Sequence, residues 1–244
     1  NILIIQLIKI LKNGEKMTTY AIELPSIVGL PILGTDALFP VRRVYCIGRN
    51  YASHAIEMGH NPDREPPFFF QKNANNLDSS GIFPYPSHSN DVHYEAEVAV
   101  MLKKGGANIE LDKALDHVFG YAVSLDMTRR DLQGEQKKMG RPWEIGKAFE
   151  RSAPVGLIHS VENIGHFEDT TIKLKVNGNL KQKGNLNQMI WKVPEMISYL
   201  SEYFELGAGD VILSGTPSGV GPIVRGDVME VSATGLGSLR VIVT

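Results

Sequence analysis

Tyr94-Glu95-Ala96-Glu97-Val98-Ala99-Val100-Met101-Leu102 alternates between polar and apolar at its start and turns apolar towards its end. That pattern reads as a strand entering a core. Working outward, Leu111–His117 reads as a short helix, Val118–Leu125 as a second strand and Thr128–Met139 as a polar helix. On the other side, Val41–Ile47 is a buried strand ending at Gly48, and Asn50–Met58 has helical character with Asn50 or Ser53 as N-cap. Phe68, Phe69 and Phe70 form another buried strand, while 59–67 and 73–90 are Asn-, Gly- and Pro-rich connections of the kind that often carry function. Thr171–Val176 turns through Asn177-Gly178, a strong hairpin signal. Gln188–Phe204 reads as a helix that includes Pro194, and Asp210–Ser214 as a strand leading into a Gly-rich turn from Gly215 to Gly221. Asp227–Ser232 and Ser238–Val243 close a final strand pair. Strands outnumber helices and no regular strand–helix alternation occurs, so the fold class is mixed α/β, mainly β, with short peripheral helices.

Composition narrows the function classes. The 244 residues are 43% hydrophobic and 21% charged, which is globular and excludes a disordered or collagenous chain. Lysine and arginine number 25 against 27 acidic residues, so no basic excess exists to neutralise phosphates, and nucleic acid is not expected as a partner. A single cysteine, Cys46, forms no internal disulfide, which suits a cytoplasmic location, and its strand setting makes it a core residue. Asn1 to Lys12 is apolar but interrupted by Lys9 and shorter than the roughly 20 residues a bilayer requires. It lacks the basic start and cleavage site of a signal peptide. Residues 1–16 therefore read as a leader or extension ahead of Met17, with an edge strand or helix as the alternative, and 17–244 as one catalytic domain. No later apolar run reaches spanning length, so no membrane association is expected.

Three constellations could carry chemistry. Glu95 and Glu97 share one face of a strand, and two steps of about 3.3 Å place their side chains about 7 Å apart, close enough to converge on one cation. Carboxylates on an otherwise apolar strand need compensation, and a hard divalent ion (Mg²⁺, Mn²⁺ or Ca²⁺) would provide it. A solvated strand face is the alternative. Asp126 ends the strand Tyr121–Leu125 and offers a third carboxylate, or caps the helix that follows. His54 and Glu57, at i and i+3 of a helix, can form a base oriented by a carboxylate, or a chance surface pair. Lys147, within Ile145-Gly146-Lys147-Ala148-Phe149, either stabilises a developing oxyanion or snorkels to solvent. The turn Ser214–Gly221 is neither a P-loop nor a dinucleotide fingerprint, though Thr216 offers a hydroxyl and an N–H. His60, His88, His93, His117, His159 and His166 lack metal-ligand spacing and read as structural.

Taken in order, these residues resemble the fumarylacetoacetate hydrolase family. The likeness is carried by Gly48-Arg49-Asn50-Tyr51 with His54 and Glu57, by Glu95 and Glu97, and by Asp126, Thr128, Arg130, Asp131 and Gln133. It continues through Gly146-Lys147 with Phe149 and Gly215-Thr216-Pro217 with Gly219 and Gly221, so that it covers the chain from about Val41 to the C-terminus. Arg64-Glu65-Pro66-Pro67-Phe68-Phe69-Phe70 and Gly140-Arg141-Pro142-Trp143 resemble its fumarylpyruvate-cleaving branch. Tyr94, Asn73 and Glu150 depart from the family pattern, where His, Pro and Asp are usual, and Asn73 bears on the lid loop and the substrate range.

The resemblance implies a β-sandwich roll, a homodimer, and one Mg²⁺ or Mn²⁺ per subunit held by Glu95, Glu97 and Asp126. It makes His54 and Glu57 a water-activating dyad on a lid, and puts Arg130, Gln133, Lys147 and Thr216 against the pyruvyl part of the substrate. The implied reaction is hydrolysis of a C–C bond in a 2,4-diketo acid, 3-fumarylpyruvate giving fumarate and pyruvate as in gentisate breakdown. Lys147 would stabilise the pyruvate enolate. Alternatives on the same scaffold are an acylpyruvase, an oxaloacetate decarboxylase or a homoprotocatechuate-pathway decarboxylase/isomerase. A non-catalytic, metal-dependent binding protein is more distant. A second carboxylate on the acyl part needs a cationic partner, and Arg49, Arg64 and Arg129 are all candidates.

Overall fold

A computed structural model describes residues 20–57, 66–167 and 169–244, with the side chains of 54–56 outside that description. The leader at 1–16, the start at Met17 and most of the 59–67 connection lie outside the described residues. The elements that position the site are, in chain order, β1 (Val44–Gly48), α1 (Ala52–Glu57), β2 (Phe68–Lys72), β3 (Val92–Tyr94), β4 (Ala96–Leu102), β5 (Val118–Leu125), α2 (Arg130–Lys138), α3 (Glu144–Lys147), β6 (Thr171–Val176), β7 (Asn179–Asn185), α4 (Val193–Tyr203), β8 (Val211–Leu213), β9 (Val228–Ala233) and β10 (Ser238–Val243).

One mixed sheet runs in the order His159–Ser160, β5, β4, β8, β1, β2, and a second in the order β7, β6, β9, β10, Ile82–Phe83. In the first sheet β8 lies parallel to β1 and antiparallel to β4. Every residue of β4 is buried, because the strand is covered on both faces. On one face Val98, Val100 and Val123 pack with Leu174, Val231 and Val241 of the second sheet. On the other, Ala99, Met101, Ala122 and Leu213 pack with Leu30, Phe39 and Ile158. The architecture is the mainly-β fold that the strand pattern predicts, with small helices and the sandwich arrangement that the resemblance implies.

Local differences have physical reasons. The strand read over Tyr94–Leu102 is two strands parted at Glu95, since β3 leaves to pair with Thr128–Arg129 and Gly221–Pro222 in a separate small sheet. The helix read from Gln188 begins at Val193, after a single 3₁₀ turn at Leu186–Gln188. Pro194 thus falls in its first turn, where a missing N–H costs no helical hydrogen bond. The helix read over Thr128–Met139 starts at Arg130, because Thr128 and Arg129 are held in a strand. At the hairpin, Asn177 and Gly178 both take left-handed backbone, with φ of 51° and 78°, which matches the twist of the flanking strands. No helix of the described residues is long and apolar enough to cross a membrane.

The β6–β7 hairpin offers a direct check of this packing. Leu174 is fully buried and Leu180 is 53% exposed. Leu174→Ala should cost about 2–5 kcal/mol of unfolding free energy in urea titrations, and Leu180→Ala no more than about 0.5 kcal/mol.

Candidate metal centre

The register of β4 against β5 assembles the acidic residues. Glu97 lies opposite Ser124 and Ala96 opposite Leu125, and the Asp126 N–H donates to the Glu95 carbonyl at 2.8 Å. Cross-strand partners share a face, as do residues two apart on one strand. Glu95, Glu97 and Asp126 therefore emerge together, and one ligand oxygen from each lies within 4.8 Å of the others. They are only 5%, 3% and 1% exposed, on the face that also carries Cys46 and Ala99. That burial excludes a solvated strand face. Nor does Asp126 cap α2, whose N-cap position is Arg129.

Three cations meet this cluster. Lys147 Nζ lies 2.7 Å from both Glu95 Oε2 and Asp126 Oδ2. Arg130 Nη2 lies 2.5 Å from Glu95 Oε1, while its Nη1 donates to Gln133 Oε1 at 2.8 Å. Lys72 Nζ, with a fully buried side chain, lies 2.8 Å from Asp126 Oδ1 and donates to Ser152 Oγ at 2.9 Å and to the Lys147 carbonyl. Burial lowers the Lys147 pKa, but the Asp126 and Glu95 carboxylates outweigh it and the net direction is upward. A lysine buried at this depth does not snorkel to solvent; it is 2% exposed.

Glu97 differs from the other two carboxylates. Its Oε2 accepts from the Gly215 N–H at 2.8 Å, and no cation among the described residues is paired with it. Burial, reinforced by the negative charges of Asp126 and Glu95, pushes its carboxyl well above the usual carboxylate range. A hard divalent cation would supply the charge that Glu97 lacks, and three converging carboxylates are an oxygen donor set suited to Mg²⁺ or Mn²⁺. The residues present therefore fit such an ion.

Glycines bring the remaining elements in close. A Cβ on Gly146 would stand 2.9 Å from Gln133 Cβ, so only glycine lets α3 press against α2 and aim Lys147 inward. Gly215, at φ 91°, approaches Ile47 and Asn50 in the same way. Thr216 lines the cleft over the triad together with Arg130, Gln133, Phe70 and Trp143. Its hydroxyl donates to the Ala96 carbonyl at 2.8 Å and accepts from Gln182 Nε2 at 2.9 Å, so its proton is committed within the fold. The Glu57 carboxylate, at the end of α1, accepts from the Gly219 N–H at 3.1 and 3.2 Å and so ties α1 to the Gly-rich turn. His54 lies on α1, and its side chain falls outside the described residues.

Sequence reasoning missed three supporting residues. Lys72 shares the face of β2 that carries the half-buried Phe70, and a lysine two residues from an aromatic on the same strand face was the available signal. Gln182 is buried and clamps the Glu95–Glu97 segment to the turn, accepting from the Ala96 N–H at 2.9 Å and donating to the Pro217 carbonyl at 2.7 Å. Asn50 does not cap α1. It donates to the Ser214 and Trp191 carbonyls at 2.8 and 2.9 Å. Cys46 is a core residue, its thiol pushed up by burial.

With this geometry in view, comparison with known proteins is specific. The family profile described as "Fumarylacetoacetate (FAA) hydrolase C-terminal" matches residues 43–244. A crystal structure of fumarylpyruvate hydrolase from Pseudomonas aeruginosa in complex with Mn²⁺ and pyruvate is 49% identical, with a TM-score of 0.90 over 93% of this chain and 99% of that one. Oxaloacetate tautomerase YcgM of Escherichia coli is 41% identical over 81% of this chain and 90% of that protein. The mitochondrial oxaloacetate decarboxylase of Dictyostelium discoideum is 40% identical over 80% of this chain and 90% of its own length.

Two outcomes test the centre. Saturating Mn²⁺ should raise the melting temperature of the native chain, and Glu97→Gln should abolish most of that rise, because the ion binds only the folded state. Lys72→Met leaves Asp126 one cation short and should cost about 3–5 kcal/mol in denaturant titrations.

Proposed function

We propose, from the premise that the chain belongs to the fumarylacetoacetate hydrolase family, that it is a divalent-metal-dependent hydrolase cleaving a C–C bond in a 2,4-diketo acid, with 3-fumarylpyruvate as substrate and fumarate and pyruvate as products. The observation that carries this reading is the buried triad of Glu95, Glu97 and Asp126 with Lys147 Nζ 2.7 Å from two of its members, at the floor of a cleft. The Mn²⁺- and pyruvate-bound relative supports both the metal class and the pyruvyl product.

Glu95, Glu97 and Asp126 would hold the ion, which when bound supplies Lewis-acid polarisation of a 2-oxo acid. Lys147 and Arg130 place two positive charges beside the same point, where the 1-carboxylate and 2-oxo oxygen would dock. Gln133, held by Arg130, orients that guanidinium. His54, oriented by Glu57, takes a proton from water as its oxygen adds to the distal carbonyl. The bond between that carbonyl carbon and the adjacent methylene then breaks. Its electron pair passes into a pyruvate enolate, and Lys147 stabilises the developing negative charge. Protonation at the former methylene carbon gives pyruvate, and the acyl part leaves as a carboxylate. The Gly219 N–H, donating to Glu57, ties α1 to the turn bearing Thr216.

A second reading, oxaloacetate chemistry on the same centre, is favoured by the tautomerase and decarboxylase relatives at 40–41% identity. Both substrates are 2-oxo acids that bind the same inner half of the cleft. Following 3-fumarylpyruvate absorbance with and without EDTA, beside acetylpyruvate and oxaloacetate, separates them. Rapid metal-dependent loss of fumarylpyruvate with release of fumarate supports hydrolysis; turnover of oxaloacetate alone moves the reaction to the second reading. His54→Ala should lower kcat on the preferred substrate by about 10²–10⁴-fold while Mn²⁺ affinity stays unchanged. Retained turnover would remove His54 from the mechanism.

A further inference from the structure

Three arginines were candidates for binding a second carboxylate, and the structure separates the two that it describes. Arg129 is turned away: its guanidinium carbon lies 4.3 Å from the Phe149 ring centre, and its Nη1 donates to the Ile145 carbonyl at 3.3 Å. Arg64 lies outside the described residues. Arg49 lines the cleft, with its guanidinium carbon 5.6 Å from the Phe68 ring centre and no carboxylate paired with it among the described residues. Its backbone is left-handed, at φ 58°, a conformation that non-glycine residues seldom adopt and that is retained where surroundings over-determine it.

Lys137, on α2, lines the same cleft as Arg49. Arg130, Gln133 and Lys137 stand at i, i+3 and i+7 of α2, so they share one helix face, and all three line the cleft. The helix rises about 10 Å between Arg130 and Lys137, so Lys137 sits at the outer end and Arg130 at the metal end. Arg49, Arg130 and Lys137 line the same cleft, and burial together with the charges of Arg49 and Arg130 lowers the Lys137 pKa. Between inner and outer ends the wall is aromatic: Trp143 has ring-centre distances of 5.0 Å to Phe68 and 5.8 Å to Phe70.

We propose that Arg49 and Lys137 form a second anion subsite at the outer end of the cleft, selecting 2-oxo acids whose far end carries a carboxylate and whose middle is flat enough to lie along Trp143. The proposal rests on the reading of the inner end as a 2-oxo acid site and adds a specificity determinant that the shared metal centre cannot provide. A guanidinium, which can bind a carboxylate bidentately, and an ammonium beside it complement a second carboxylate, a charge that a monoanionic acyl chain does not offer.

The test uses two ligands lacking the cleavable diketone, 2-oxoheptanedioate and 2-oxoheptanoate, titrated calorimetrically into the Mn²⁺-supplied protein. They differ only in the far carboxylate. The native chain should bind the dianion about tenfold more tightly. Arg49→Asn, which suits left-handed backbone, and Lys137→Gln should each erode that preference, with little change for 2-oxoheptanoate. Arg49→Lys should restore part of it. Equal affinities in the native chain, or an undiminished preference in Arg49→Asn, would overturn the subsite and leave the inner site standing. Binding of neither ligand would overturn the 2-oxo acid reading and the subsite with it.

Discussion

Pairing of Glu95 with Asp126 across the β4–β5 register is the constraint on which the centre depends. It puts three carboxylates on one apolar face, a costly arrangement unless cations meet them. Lys147, Arg130 and Lys72 answer two of the three, and each reaches the cluster from a different element. Sheet, α2, α3 and β2 are thereby coupled through charge at a single point. Glu97 is left with one backbone N–H, and that asymmetry distinguishes a centre able to take a cation from a closed ion-pair network.

Much of the scaffolding serves to hold that face open at one end. Gly146 lets α3 approach Gln133, and Lys72 grips the Lys147 carbonyl from beneath, so both the ammonium and the backbone of Lys147 are fixed. Gln182 binds Ala96 on one side and Thr216 and Pro217 on the other, which sets the Gly-rich turn against β4. Positions defined this tightly suit a site where charge must be stabilised as it develops, since donors already in place need no reorganisation.

Legibility in the sequence followed the range of the interactions. Strand alternation, the Asn177-Gly178 turn and the paired glutamates are local signals, and each was readable. Register is not local, so the partnership of Asp126 with Glu95 could be anticipated only as proximity at a strand end. The partners of Lys72 and Gln182 were hidden for the same reason: a polar residue in a strand declares its partner only once the neighbouring strand and turn are in place. The break at Glu95 arises from competition between two sheets for one segment, which no window of a single sequence contains. Family resemblance supplied what spacing left open, the grouping of Glu95, Glu97 and Asp126 as one ligand set.

The central claim is that these three carboxylates hold a divalent ion that a 2-oxo acid completes. Crystals grown with Mn²⁺ and pyruvate, measured at the manganese absorption edge, test it most directly. The account predicts an anomalous peak bounded by Glu95, Glu97 and Asp126, with pyruvate against it and Lys147 beside the ligand. No peak between those carboxylates, with manganese found elsewhere or nowhere, would contradict it.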